Sequence, residues 1–261
     1  MEANEILGQV DKIKVSVIMQ VNLQNYNNSR SNAVDKFRRA VESFRNQLYK
    51  NCELIIVSDG CLKTQQIYTR FYKEDKNIKF VYYDRQDTEL KMYETRPGDP
   101  EEYKYYRGFA RKIGVGAATG DVITYMDSDD IIAPEFTMTL MLIYNQEPDL
   151  DWWINTTWYD NEVANWPDSE TMYASSESKP VELPYSEEGT WVQTVLKPGK
   201  IVMSPWLLMH KPNLKVQWRD TYGNISEDVD FNRRLREEYK KGMAYSRPIY
   251  IRCHFSDLWD V

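Results

Sequence analysis

Short apolar runs alternate with stretches of helical spacing through the first half of the chain. Lys14–Met19 and Glu53–Val57 are rich in β-branched residues and run into polar or glycine-containing turns, which is typical of buried strands. Between them, residues 31–48 place apolar side chains at helical spacing among Lys, Arg and Glu. The predicted apolar helix face is Ala33, Val34, Phe37, Ala40, Val41, Phe44 and Leu48. This order predicts a β-α-β unit.

The alternation continues to about residue 145. The further predicted elements are helices over 64–73, Arg107–Ala118 and 134–145 and strands over Ile78–Tyr83 and Asp121–Met126. Such an order favours an α/β fold with a mostly parallel central sheet flanked by helices, whose ligands bind beyond the carboxyl ends of the strands. Asp59 and Asp127 follow two of these strands. The segment 84–106 is either a substrate loop or a solvated insertion, and 151–205 reads as short strands and loops.

Composition bounds the class of protein. A chain of 261 residues with 42% hydrophobic residues fits one large α/β domain. It contains no apolar stretch of membrane-spanning length, and its first residues lack the pattern of a signal peptide, so we expect a cytoplasmic protein, at most peripheral at a membrane. Three cysteines without a C-x-x-C pair indicate neither a disulfide framework nor a cysteine zinc site. A net charge of -7 disfavours nucleic acid as a partner without excluding a local basic groove.

The acidic run Asp127-Ser128-Asp129-Asp130 follows a predicted strand directly. Two carboxylates separated by one residue at a strand end can point into one crevice and hold a hard cation through oxygen. A divalent ion there would bridge the phosphates of a nucleotide and neutralise charge on a leaving diphosphate. The same run is also explained as a solubilising loop or the N-cap of the next helix.

Several blocks in order resemble the family 2 glycosyltransferases of GT-A fold. The similar stretches are Val15–Val21, Ser43–Gly60, Ala110–Asp121 with the acidic run after it, and Ser226–Leu235. The resemblance covers residues 14–140 clearly and 200–256 more loosely. Three positions depart from the family pattern: Gln20 stands where proline or threonine is usual, Ser58 replaces a frequent aspartate, and Lys112 replaces a commoner asparagine.

The resemblance implies a donor site at the strand ends. It assigns nucleotide binding to Gln20, Val21, Asn22, Asp59, Arg111, Asp127 and Ser128. Asp59 matches the base-recognising aspartate, since a carboxylate can accept the ring N–H of uracil or guanine. Arg111 carries a fixed charge that suits either a diphosphate or the acidic run. The implied cofactor is Mn²⁺ or Mg²⁺, with Asp129 and His254 as metal ligands, and we expect Asp130 to have a structural or supporting role.

The resemblance also places the catalytic and acceptor groups. Asp228 takes the place of the general base, with Glu227 beside it, because inversion by direct displacement needs a carboxylate to remove the proton of the attacking hydroxyl. From the residues alone, the better explanation of both is as first-turn helix carboxylates, which the macrodipole favours. Trp206 is a candidate for the acceptor site, with core packing as the alternative, and core packing is the expectation for Trp152, Trp153 and Trp158. His210 is expected to be structural.

The sequence therefore predicts a metal-dependent inverting glycosyltransferase. It would move a sugar from a nucleotide-diphosphate donor to a hydroxyl of a saccharide or glycoconjugate. Residues 1–140 would form the nucleotide-sugar-binding half and 141–261 the acceptor-binding and catalytic half of one GT-A domain. The alternatives are a nucleotidyltransferase-like enzyme, which the absence of glycine after the first strand disfavours, and a non-catalytic nucleotide- or carbohydrate-binding module. A hydroxylated base in viral DNA is a less favoured acceptor, and oligomeric state is not indicated.

Overall fold

The computed structural model describes residues 12–23, 32–84, 107–155, 157–160, 179–182, 205, 208–219, 227–239, 242–245 and 249–253. The helices in this part of the chain are α1 (Ala33–Arg45), α2 (Leu62–Phe71), α3 (Arg107–Ala117), α4 (Phe136–Gln146) and α5 (Glu227–Glu238). The strands are β1 (Val15–Val21), β2 (Cys52–Asp59), β3 (Ile78–Tyr83), β4 (Val122–Asp127), β5 (Ile131–Ile132), β6 (Trp152–Asn155), β7 (Thr157–Asp160), β8 (Lys179–Glu182), β9 (Leu208–His210), β10 (Met243–Tyr245) and β11 (Tyr250–Arg252). Every element predicted before residue 147 is confirmed.

The main sheet has seven strands in the order β10-β6-β9-β4-β1-β2-β3. Only β9 runs antiparallel to its neighbours, which confirms the mostly parallel sheet. Strand β1 lies between β2 and β4, and Gln20 pairs with Val57 on one side and with Asp127 on the other. The carboxyl ends of β2 and β4 therefore flank the end of β1, at the edge where α/β sheets bind ligands.

Strands β1 and β2 are buried almost throughout because helices cover the sheet. Helix α3 packs closely at Gly114, where an added Cβ would lie 2.5 Å from the Ile18 side chain. Glycine at this position thus permits the short distance between helix and sheet, and a larger residue would force the two apart. The predicted packing role of Trp152 and Trp153 is confirmed, since both are fully buried.

A second sheet has the order β5-β11-β7-β8. Strand β11 pairs antiparallel with β5, which follows the acidic run directly. Ala133 N–H also donates to the Ile249 carbonyl at 2.9 Å. This pairing returns the C-terminal part of the chain to the carboxyl end of β4. The assignment of Asp129 and His254 to one metal implies such proximity, but the sequence does not predict the strand pairing itself.

Helix α1 is shorter than the sequence predicts. The sequence predicts Leu48 on the buried face of the first helix, but α1 ends at Arg45 and the Leu48 side chain is 61% exposed. Its main-chain N–H instead donates to the Pro134 carbonyl at 2.8 Å, so the residue belongs to a backbone junction and not to the core. The segment 85–106 and the side chain of Trp158 lie outside the described residues. No helix among the described residues is long and apolar enough to cross a membrane.

The buried carboxylate of Glu53 links neighbouring strands at the opposite edge of the sheet, where the strands begin. Glu53 is 2% exposed and forms ion pairs at 2.8 Å with both Lys14 and Lys79. Its Oε1 also accepts hydrogen bonds from the Ser16 hydroxyl and the Thr119 N–H, each at 2.7 Å. Burial alone would raise the pKa of Glu53, but these partners outweigh it and lower the pKa to about 2.

We expect Glu53→Gln to lower the free energy of unfolding by about 2 kcal/mol at pH 7, because two lysines lose their shared partner. Folding depresses this pKa, so the carboxylate stabilises the fold fully above about pH 4.5, and the contribution is lost as the pH falls toward 2. Urea unfolding at pH 7 and pH 3 measures the difference in free energy of unfolding between wild type and Glu53→Gln, with exposed Glu147→Gln as control. A difference that stays constant between pH 7 and pH 3 would contradict the lowered pKa of Glu53.

Candidate active site

The carboxylates of the acidic run differ in burial and in hydrogen-bond partners. Asp127, Ser128 and Asp129 are half-buried, whereas Asp130 is 4% exposed. Asp130 Oδ2 accepts a hydrogen bond from the Tyr250 hydroxyl and Oδ1 accepts one from the Cys253 N–H, both at 2.8 Å. Asp130 therefore ties the loop after β4 to strand β11 and leaves the other two carboxylates nearer the surface.

Negative charge is concentrated in this loop. Burial, followed by the charges of Asp129 and Asp127, raises the pKa of Asp130 well above its usual value. The loop is positioned from a second side by α1, because Arg39 Nη2 donates to the Asp129 main-chain carbonyl at 2.8 Å. The local chemistry, crowded carboxylate oxygens on a fixed loop, suits a divalent cation.

No cluster of three or more His, Cys, Asp or Glu with metal-binding geometry is present among the described residues. The predicted partner ligand His254 lies outside them, as does the predicted acceptor residue Trp206. Asp127 and Asp129 are the two half-buried carboxylates of this loop, and the predicted ligand set remains a prediction.

The end of β2 lies on the other side of β1. Asp59 is 6% exposed, and Gly60 after it adopts a φ of 61°, a left-handed conformation that glycine reaches without strain. The Gly60 N–H donates to the Tyr83 carbonyl at 2.9 Å, and Asn22 Nδ2 contacts the Asp59 carbonyl at 3.4 Å. These bonds fix the turn that carries Asp59.

Gln20 stands between the two acidic strand ends. Its Oε1 is buried and has no hydrogen-bond partner in the described part of the chain. A buried acceptor left unpaired costs free energy that a ligand donor would recover. Val21 is 2% exposed, so its side chain is part of the core and only its backbone can face a ligand.

A buried ion pair joins α3 to the start of α5. Arg111 Nη1 donates to Glu227 Oε1 at 2.8 Å, and the two side chains are 6% and 15% exposed. The sequence reading offered the acidic run or a diphosphate as partners of Arg111, but the structure pairs it with Glu227 instead of the acidic run. Asp228, the next residue, is half-buried in the first turn of α5.

A polar chain inside the core runs behind this ion pair. Trp218 Nε1 donates to the Tyr125 hydroxyl at 2.6 Å, and that hydroxyl contacts His210 Nε2 at 2.6 Å. Burial lowers the pKa of His210 to about 4, so its ring is neutral at pH 7. The predicted structural role of His210 is confirmed. Sequence reasoning did not single out Trp218 or Tyr125, and the only signal was the concentration of tryptophans after residue 151.

Comparison with known proteins points to one family. Residues 102–204 match the family described as Glycosyl transferase family 2. The chain is 30% identical over 114 residues to "Putative glycosyltransferase EpsH" of Bacillus subtilis, which covers 43% of this chain and 28% of that protein. It is 22% identical over 256 residues to "Glycosyltransferase GlyA" of Streptococcus pneumoniae, covering 91% of this chain and 30% of that protein. The chain thus spans about a third or less of these relatives.

Solved structures show the same fold. The crystal structure of S. aureus TarS 1-349 matches with a TM-score of 0.58 at 18% identity, covering 92% of this chain and 60% of that one. Its complex with UDP-GlcNAc matches with a TM-score of 0.57. This likeness confirms the GT-A-type α/β fold that the sequence predicted.

Replacing Asp130 by alanine should lower the free energy of unfolding by about 2–4 kcal/mol, because the buried Tyr250 hydroxyl and Cys253 N–H would both lose their acceptor. Asp149→Ala, which removes an exposed carboxylate, should change it by less than about 0.5 kcal/mol. Urea unfolding followed by circular dichroism compares the two variants. Equal stability of Asp130→Ala and wild type would show that the bonds to β11 do not hold the loop.

Proposed function

We propose that this chain, which belongs to glycosyltransferase family 2, transfers a sugar from a nucleotide-diphosphate donor to an acceptor hydroxyl with inversion at the anomeric carbon. The observation that carries the proposal is the placement of three carboxylate-bearing segments. Asp59 ends β2, Asp127 ends β4 with Asp129 after it, and Asp228 lies in the first turn of α5, whose first residue, Glu227, is tied to α3 by Arg111. Two of these segments flank the end of β1, where α/β sheets bind nucleotides.

The donor nucleotide lies, in this proposal, across the end of β1. The Asp59 carboxylate accepts an N–H of the base. Gln20 Oε1, which has no hydrogen-bond partner among the described residues, accepts a second donor from base or ribose. The backbone of Val21 and the side chains of Asn22 and Ser128 line the same edge. TarS, a structural neighbour, has been crystallised with UDP and with UDP-GlcNAc, which makes uridine nucleotides the first donors to test.

The residues present fit a divalent cation at the acidic loop. Asp127 and Asp129 offer two carboxylates, and Asp130 is engaged with β11, so the loop supplies hard oxygen ligands in a region of crowded negative charge. When bound, Mn²⁺ or Mg²⁺ would neutralise the charge that builds up on the departing diphosphate. Asp129 is the proposed direct ligand. His254 follows Cys253, which is bonded to Asp130, and is kept as the second proposed ligand.

Asp228 is the proposed general base. Its carboxylate removes the proton of the acceptor hydroxyl while that oxygen forms the new bond to the anomeric carbon, and the bond to the diphosphate breaks on the opposite face. Glu227, beside Asp228, remains the second proposed catalytic residue. Its Oε1 is bound to Arg111, so Glu227 also ties the first turn of α5 to α3.

The acceptor is proposed to be a saccharide or glycoconjugate bound by residues of 141–261, with Trp206 as a candidate for stacking on the sugar. A non-catalytic module that binds a nucleotide sugar without transferring it is the competing function. A thermal-shift screen with UDP, GDP, CDP and dTDP sugars, each with Mn²⁺ and with EDTA, separates donor binding from its absence, because ligand binding to the native state raises Tm. No shift with any donor would overturn the enzyme and module proposals alike.

Asp228→Asn should lower the rate of donor hydrolysis by at least about 100-fold, because water loses its general base. Donor affinity in calorimetry should stay within about 2-fold of wild type, since the base acts on the acceptor side. Glu237→Gln, at the exposed far end of the same helix, is the matched control and should retain wild-type hydrolysis. Hydrolysis that is unchanged in Asp228→Asn would remove Asp228 from the mechanism, and donor binding without hydrolysis in wild type would favour the module.

A further inference from the structure

Trp218 contacts three elements of the candidate site from inside the core. It is 2% exposed, so it offers no surface to a ligand. Its ring stacks on Phe231 of α5 with centroids 3.9 Å apart and planes within 5°. Its Nε1 donates to Tyr125 of β4, and the Arg111 guanidinium of α3 lies 5.0 Å from its ring centroid. One side chain therefore touches the strand that carries Asp127, the helix that carries Asp228, and the arginine that binds Glu227.

The hydrogen bonds that link His210, Tyr125 and Trp218 all run in one direction. The Lys211 carbonyl can only accept, so His210 Nδ1 carries the proton of their 2.6 Å contact. His210 Nε2 is then an acceptor and receives the Tyr125 hydroxyl proton. The Tyr125 oxygen in turn accepts from Trp218 Nε1, since an indole N–H can only donate. Each side-chain N–H, O–H and ring nitrogen of His210, Tyr125 and Trp218 therefore has a hydrogen-bond partner. The Trp218 ring is held by hydrogen bonds as well as by packing.

We propose that Trp218 is a positioning residue, which sets the place of helix α5 and its Asp228 relative to the end of β4. The effect of Trp218 on kcat rests on the proposed function, whereas its structural role does not. In that structural role, the hydrogen-bonded side chains of His210, Tyr125 and Trp218 anchor α5 at Phe231. Small displacements of a reacting group lower rates steeply, so an anchor behind the base controls kcat without touching the donor.

Trp153 provides a matched control. It is a fully buried tryptophan in β6 of the main sheet, and it packs on Tyr144 of α4. Its indole N–H has no hydrogen-bond partner among the described residues. Trp153→Leu therefore creates a similar cavity and a similar loss of global stability without removing a bond to β4 or a stack on α5.

Hydrogen exchange of full-length wild type and variants tests the anchor without a ligand. In Trp218→Leu, the amides of residues 231–235 should exchange at least about 10-fold faster relative to those of β1 and β2, which report global opening. Trp153→Leu should accelerate all of these amides together. Tyr125→Phe should reproduce the local effect in α5, although residue 125 itself lies on β4, because it leaves the Trp218 N–H without its acceptor. Uniform acceleration in Trp218→Leu and Trp153→Leu alike would overturn the proposal.

Hydrolysis of UDP-GlcNAc with Mn²⁺ tests the catalytic consequence. Trp218→Leu should lower kcat by about 10- to 100-fold with an unchanged KM for donor, and Trp218→Phe, which keeps the stacked ring, should recover most of kcat. Trp153→Leu, assayed well below its Tm, should keep the wild-type kcat. A raised KM with unchanged kcat would contradict a positioning role. If wild type itself turns over no UDP-GlcNAc, the uridine donor fails, whereas the exchange experiment still decides the anchor.

Discussion

The parallel pairing of β1 with β2 on one side and β4 on the other is the constraint on which the site depends. Its register places Gln20 beside Val57 and Asp127, and so fixes two acidic strand ends at one edge of a sheet whose strands β1 and β2 are buried almost throughout. A slip of one residue would turn every buried side chain of these strands to the opposite face, so the register is strongly specified. The position of the carboxylates is thus a consequence of core packing.

Two further cross-links complete the site from distant parts of the chain. The ion pair of Arg111 with Glu227 joins residues 116 positions apart, and the bonds of Asp130 to Tyr250 and Cys253 span 120 and 123 positions. Such buried pairs are costly to break because each partner would be left unsatisfied in a low-dielectric environment. They hold α5 and β11 against the α/β core, where the proposed base and metal loop are needed.

The sequence predicted the α/β half well because periodic burial is a local signal. Apolar runs and helical spacing located every described helix and strand up to residue 146 except the two-residue β5, and the family resemblance assigned roles to Asp59 and the acidic run. The sequence also assigned Asp130 a structural or supporting role, but it could not show that Asp130 is buried, because this depends on β11, far along the chain. It also could not choose the partner of Arg111, since charge and spacing alone do not reveal a contact with α5. Trp218 was missed because a buried tryptophan has the same sequence signature as ordinary core.

A crystal structure of the protein with UDP-GlcNAc and Mn²⁺ would test most directly the claim that the strand ends form a nucleotide-sugar site. The ion should lie about 2.1 Å from a carboxylate oxygen of Asp129, the base against Asp59, and the diphosphate between them across the end of β1. A nucleotide bound away from the end of β1, or an ion that contacts neither Asp127 nor Asp129, would contradict it.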